Sequence, residues 1–94
     1  MSGEAPVDIQ VVNNPSLGRF EAAYQGHLAI TEYTLQGKII TFTHTKVPKA
    51  IESQGVGAEL ARTALAYAQK NNLKIEARCQ FIASYLRRHP EYLD

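Results

Sequence analysis

The residues with the clearest chemical potential are the two glycines of Gly55-Val56-Gly57, which stand directly before a helical pattern. Glycine weakens a helix but lets the backbone approach a ligand closely. A helix N-terminus presents unpaired N–H groups and a partial positive charge, which suit a phosphate group. From these residues alone, a phosphate cradle and a tight turn needed for close packing are equally good interpretations. A dinucleotide fingerprint is excluded because Leu60 stands where its third glycine is needed, and the P-loop lysine is absent.

Two side chains outside this turn have reactive chemistry. Cys79 follows a predicted strand and precedes a predicted helix, a position that favours a thiolate; the alternative is a small buried apolar residue. His44 lies near the end of a predicted strand, and imidazole exchanges protons near neutral pH. Strand alternation places His44 on the face of Ile40 and Phe42. A histidine packed in a core or groove is therefore an equally good interpretation.

The first half of the chain is predicted to form strands. The segments RFEAAY, HLAITEYTL and KIITFTHTKV are rich in β-branched and aromatic residues. They are separated by Gln25-Gly26 and Gln36-Gly37, gaps short enough for two antiparallel hairpins. Before them, residues 1–18 are predicted to be a partly flexible leader with one short strand around residues 9–12.

The second half is predicted to be a helix, a strand and a shorter helix. Apolar residues recur at helical spacing after Gly57, namely Leu60, Ala61, Ala64, Leu65 and Ala68. Asn71-Asn72 is typical of a helix end. LKIEARC then reads as a strand, and QFIASYLRRHP as a helix ended by Pro90. The result is an α+β domain in which the first helix connects two parallel strands.

Length and charge limit the classes of function. The chain has 94 residues, which is enough for one small domain, and a formal net charge of +1. That balance gives no indication of a nucleic-acid partner, and Arg87-Arg88 is interpreted as the charged last turn of a helix. Cys79 is the single cysteine, which excludes an internal disulfide and favours a reducing compartment. With no signal pattern or membrane-spanning apolar run, we expect a cytoplasmic protein.

The order of these segments resembles the GNAT superfamily of N-acetyltransferases. The stretches FTHTKVP, SQGVGAEL, ALAYAQKNNLKI and CQFIASYLRRHPEY look like its very small YjdJ-type branch. The resemblance covers residues 20–92, and we expect one GNAT-like domain over residues 19–94. It implies a compact α+β fold, a mainly antiparallel sheet with a strand–loop–helix–strand core that binds acetyl-CoA, and a short C-terminal helix.

The resemblance also implies which residues contact acetyl-CoA. The strand end at Thr45, Lys46 and Val47 would offer backbone groups to the pantetheine arm. The following turn would hold the pyrophosphate with its backbone N–H groups, through Ser53, Gln54, Gly55, Val56, Gly57 and Ala58. No metal is expected, and the second substrate would be an amine.

Catalytic residues follow from the same resemblance. Cys79 would be an acyl acceptor or a catalytic group, and His44 would flank the acetyl group as a candidate base. Tyr85 would be the acid that protonates the departing thiolate. Its alternative is a core aromatic residue grouped with Phe81 and Leu86 at helical spacing.

The chain also departs from the family pattern. Glu52 stands where GNAT sequences often have arginine or glutamine, and Lys46 stands where small relatives tend to have an acid. An N-acetyltransferase acting on a small amine or a protein lysine is therefore weighed against an acyl-CoA-binding or regulatory module with little turnover. A third interpretation is an interaction domain that pairs through its first hairpin. A homodimer that completes the site is left open.

Overall fold

A computed structural model describes residues 9–93. Its five-stranded sheet has the order β1-β2-β3-β4-β5, with β1 Gln10–Asn14, β2 Arg19–Tyr24, β3 His27–Gln36, β4 Ile39–Lys46 and β5 Lys74–Ala77. The helices are α1 Val56–Lys70 and α2 Gln80–Arg88, and short 3-10 turns cover Lys49–Ile51 and Pro90–Leu93. The predicted α+β class is confirmed.

The strands β1 to β4 form antiparallel hairpins, as predicted. Gln25 and Gly26 both have positive φ angles of 51° and 77°, and Gly37 has a φ of 58°. Such angles match the twist of paired strands and explain why glycine stands in both turns. β1 is the short strand expected near the end of the leader, while residues 1–8 of that leader lie outside the described residues.

The crossover is also as predicted, because β4 and β5 are parallel and α1 connects them. Asn71 is the C-cap of α1, and His89 is the C-cap of α2. Helix α1 begins at Val56, one residue earlier than its apolar pattern indicates, with Gly55 as its N-cap.

Both helices pack with one face of the sheet in a single hydrophobic cluster. The largest fully buried apolar side chains in it are Phe20, Phe42, Ile40, Ile51, Leu60, Leu65, Ile82 and Val56. The opposite sheet face carries no helix in the described part of the chain, and Leu28 there is 47% exposed. The molecule therefore has two layers, and α2 lies beside the last part of β4.

A β-bulge changes the facing of residues along β4. Phe42 pairs with Tyr33 and His44 pairs with Glu32, so Thr43 is an extra residue without a partner. Phe42 is buried on the core face, whereas His44 is exposed on the other face and Thr45 returns to the core side. The prediction that His44 shares a face with Ile40 and Phe42 is therefore wrong, because it assumed unbroken alternation.

Candidate functional site

The N-terminus of α1 presents free backbone donors. Its N-cap Gly55 has a left-handed conformation with a φ of 88°, and no side chain caps the helix. The Glu59 N–H donates to the Gly55 carbonyl at 3.1 Å as the first helical hydrogen bond. The N–H groups of Val56, Gly57 and Ala58 therefore precede the first intrahelical bond and can serve an anionic ligand.

These donors open into a groove of about 450 Å³ between the end of β4, the α1 N-terminus and α2. It is lined by Thr45, Val47, Glu52, Ser53, Gly55, Gly57, Ala58, Phe81 and Arg88. Six of the residues expected to bind the cofactor are in this set, so the structure brings the strand end and the turn together.

The other three expected cofactor residues lie elsewhere. Lys46 is exposed one position beyond Thr45, Val56 is fully buried in the core, and the Gln54 N–H donates to the Ile51 carbonyl at 3.2 Å. The Gln54 N–H is thus already used within the turn, whereas the backbone N–H of buried Val56 still belongs to the open first turn of α1.

Gly57 has a second role, which is to admit Phe81. A methyl group at position 57 would lie 2.8 Å from Cζ of Phe81, closer than a real contact allows. Phe81 is 37% exposed and lines the groove, so the alternative that grouped Tyr85 with Phe81 and Leu86 in the core holds for Tyr85 and Leu86 but not for Phe81. The close-packing interpretation is therefore confirmed for Gly57, and the phosphate cradle stays a prediction.

At the other end of the groove, β4 and β5 separate. Their last register pair is Phe42 with Ala77, and the Phe42 carbonyl accepts from the N–H groups of Arg78 at 2.8 Å and Cys79 at 3.2 Å. Beyond this point α2 begins, with Cys79 as its N-cap residue. The half-buried Cys79 therefore lies where the two strands diverge.

A short hydrogen-bonded chain links Cys79 to the sheet. Thr45 Oγ1 is 3.3 Å from Cys79 Sγ and 2.8 Å from Thr31 Oγ1. Thr31 is the one fully buried polar residue in the described core. The bulge makes this chain possible, because it returns Thr45 to the side of the sheet on which Thr31 lies.

Tyr85 and His44 lie outside the groove lining. Tyr85 is 7% exposed, and its ring is stacked on His89 with centroids 4.3 Å apart. Burial raises the pKa of the Tyr85 phenol, with a further contribution from Tyr92 nearby. Of the three expected catalytic residues, the structure brings only Cys79 into contact with a groove residue, and the catalytic roles of all three stay predictions.

Phe81 and Arg88 are groove residues that the sequence did not identify. They are seven residues apart, two helical turns, and so lie on one face of α2. The buried residues Ile82, Tyr85 and Leu86 form the adjoining stripe of the helix. That pattern separates Arg88 from Arg87, which donates to Ser84 Oγ at 3.0 Å, and could have identified both groove residues.

Neither a metal centre nor a membrane span is found in residues 9–93. Within that range, no three His, Cys, Asp or Glu side chains are close enough together to hold a metal ion. No helix in it is long and apolar enough to cross a membrane.

Comparisons with known proteins agree with this geometry. The family model described as GCN5-related N-acetyl-transferase matches residues 19–94. Protein NATD1 of Gallus gallus is 31% identical over 92% of this chain and 83% of its own length. Human Protein NATD1 is 33% identical over 70% of this chain, a match that spans 61% of the human protein.

A solved structure shares the fold. The NMR solution structure of a GCN5-like protein from Staphylococcus aureus superposes with a TM-score of 0.72 at 27% identity. The superposition covers 95% of this chain and 88% of that one. The predicted GNAT-like fold is thereby confirmed. The chain belongs to the GCN5-related N-acetyltransferase family.

Proposed function

We propose that the protein binds acetyl-CoA in the groove and transfers the acetyl group to an amine. One observation carries the proposal: the uncapped α1 N-terminus opens into the same groove as Thr45, which contacts Cys79. The first feature suits a phosphate, and the second marks a narrow, partly buried place for a thioester. Membership of a family of N-acetyltransferases supports acetyl transfer as the chemistry.

Each part of the groove has a role in this proposal. The N–H groups from Ser53 to Ala58 that are free of partners hold the pyrophosphate. Thr45 and Val47 border the pantetheine arm, and Phe81 forms the opposite wall. Acetyl-CoA supplies an activated acetyl group, which a neutral amine can attack. The walls of the groove orient the thioester.

We call the end of the groove at Thr45 and Cys79, where the thioester would lie, the thioester end. Cys79 has two possible roles there. As a nucleophile, its thiolate would take the acetyl group from CoA and pass it to the amine, releasing CoA thiol first. As a packing residue, it would only shape the site for direct transfer. Cys79→Ala separates these roles. With acetyl-CoA and no amine, a nucleophilic Cys79 leaves wild type acetylated on the thiol, whereas Cys79→Ala cannot form this intermediate.

A second candidate is a module that binds acyl-CoA with little turnover. The observation that favours it is the composition of the groove lining, in which Glu52 is the one carboxylate and no histidine occurs. Glu52 belongs to the loop before α1, not to the thioester end. This candidate predicts CoA binding without acetyl transfer across a panel of amines.

The test uses Ala58, an exposed residue in the first turn of α1 that lines the groove. Ala58→Asp adds a carboxylate that a helix N-terminus tolerates well but a phosphate does not. Ala58→Asn is the matched control, since it has the same shape without the charge. We expect the affinity for acetyl-CoA, measured by calorimetry, to fall about tenfold or more in Ala58→Asp relative to Ala58→Asn.

Thermal shifts with acetyl-CoA, CoA and ATP complete the test. Stabilisation by both CoA species but not by ATP supports the proposal. If millimolar CoA leaves the melting temperature unchanged, or if Asp and Asn bind equally, the groove is not a CoA site.

A further inference from the structure

We propose that Arg88 binds a phosphate of the cofactor and makes the protein prefer a nucleotide-bearing thioester to a simple pantetheine thioester. The inference deepens the proposed function and rests on it. It assigns recognition of the phosphates to α2 as well as to the glycine turn.

The lining of the groove carries one positive and one negative side chain. Among its lining residues, Arg88 is the one cation and Glu52 the one anion. The turn itself offers only neutral N–H donors, and Glu52 stands beside them in the same loop. A phosphomonoester carries about −1.5 to −2 charges at neutral pH and is repelled by a carboxylate. A guanidinium in the same groove offsets that repulsion.

Helix α2 runs along the groove, because Phe81 and Arg88 both line it. Its N-cap Cys79 lies at the thioester end, and Phe81 contacts the start of α1 at Gly57. Arg88 follows Phe81 by two turns on the same helix face, about 10 Å further along the axis. The helix therefore runs from the thioester end towards the far end of the groove. A cofactor extended along it would place its nucleotide near Arg88.

Three of the four other arginines have side-chain partners within residues 9–93, and the fourth, Arg78, does not line the groove. Arg62 pairs with Glu59, Arg19 pairs with Glu21 at 2.7 Å, and Arg87 donates to Ser84. Within residues 9–93, no hydrogen bond or salt bridge involves the guanidinium of Arg88. Its planar fork can donate two parallel hydrogen bonds to a phosphate, a geometry that a lysine cannot reproduce.

The experiment measures the affinities of three thioesters by calorimetry: acetyl-CoA, 3′-dephospho-acetyl-CoA and S-acetylpantetheine. Wild type is compared with Arg88→Gln, Arg88→Lys and the neighbouring control Arg87→Gln. We expect Arg88→Gln to weaken acetyl-CoA binding about five- to twentyfold and S-acetylpantetheine binding less than about twofold. Arg88→Lys should lie between wild type and Arg88→Gln, and Arg87→Gln should match wild type within about twofold.

The three ligands give each outcome a meaning. If Arg88→Gln weakens the binding of acetyl-CoA alone, Arg88 contacts the 3′-phosphate. If it also weakens the binding of 3′-dephospho-acetyl-CoA, Arg88 contacts the pyrophosphate. Equal effects on all three thioesters, or no effect on any, overturn the inference while the proposed function stands. If wild type binds none of them, the proposed function itself fails. A circular dichroism melt confirms that each variant is folded, and Arg88→Lys keeps the test valid should Arg88→Gln unfold.

Discussion

The two ends of the groove are built in different ways. The proposed phosphate end is made by consecutive residues, Gly55 to Ala58, and its donors belong to the main chain. The proposed thioester end is made by side chains from three separate places, Thr31 on β3, Thr45 on β4 and Cys79 before α2. A main-chain site depends on local conformation, whereas a side-chain site depends on how distant elements pack. Substitutions should therefore damage the two ends by different routes.

The largest effect on stability is expected at the thioester end. Thr45→Val keeps the shape of the side chain but removes the hydroxyl that partners the fully buried Thr31 Oγ1. An unpaired buried hydroxyl costs about 1–3 kcal/mol, so the free energy of unfolding should fall by that amount. Urea denaturation measures the change.

A double-mutant cycle with Thr31→Val separates this effect from a simple loss of packing. The double variant leaves no unpaired hydroxyl, so it should be more stable than the sum of the single losses implies. Strictly additive losses would mean that the two hydroxyls do not depend on each other.

The next largest effect on stability is expected at the phosphate end, where the backbone conformation of Gly55 determines the cost of a substitution. Gly55→Ala forces a side chain into a left-handed conformation with a φ of 88°, although nothing lies within 4 Å of the new methyl group. The conformational cost is about 1–2 kcal/mol of unfolding free energy. Because the strained residue is the N-cap of α1, acetyl-CoA affinity should also fall.

Gly37 is the matched control, since it has a φ of 58° and equally open surroundings in a distant hairpin. Gly37→Ala should lose similar stability and keep its affinity. An affinity loss of the same size in both variants would show that binding follows overall stability and not the geometry of the turn.

The smallest expected effect is a pH dependence of stability, which arises from a residue outside both ends of the groove. Burial raises the pKa of Tyr85 above its usual value of 10.0, so the folded state favours the neutral phenol. The corresponding stability is fully present below about pH 10 and is lost as the pH rises through the folded pKa. Tyr85→Phe should therefore reduce the alkaline fall in melting temperature, with tyrosinate absorbance as the direct measure.

Tyr33 is a second buried tyrosine with which Tyr85 can be compared. Burial also raises the pKa of Tyr33, but its hydroxyl donates to Asn13 Oδ1 at 2.8 Å. Tyr33→Phe should show the same alkaline gain together with a loss of stability at neutral pH. A Tyr85→Phe variant that melts like wild type at every pH would show that its phenol titrates normally.

Local sequence patterns were sufficient to predict most of the fold. Gly26 and Gly37 mark the hairpin turns, and the apolar spacing from Leu60 to Ala68 marks the face of α1 that is buried. Each of these features depends on residues that are neighbours in sequence. The glycine turn that opens α1 was predictable for the same reason, and its role in binding phosphate stays a prediction.

The thioester end was not predictable in detail, because a bulge depends on the partner strand. Nothing in the sequence around Thr43 marks it as the extra residue, and one such residue was enough to place His44 on the wrong face. Phe81 and Arg88 were missed because their place in the groove depends on how α2 packs against α1.

The contact between Gly57 and Phe81 has an evolutionary consequence. The first turn of α1 and the ring on α2 share one small volume, so neither residue can grow alone. Among related chains, the sizes of the residues at these two positions should vary inversely. A homologue with alanine or serine at position 57 should carry a smaller or displaced side chain at position 81, and its groove would then have a differently shaped wall.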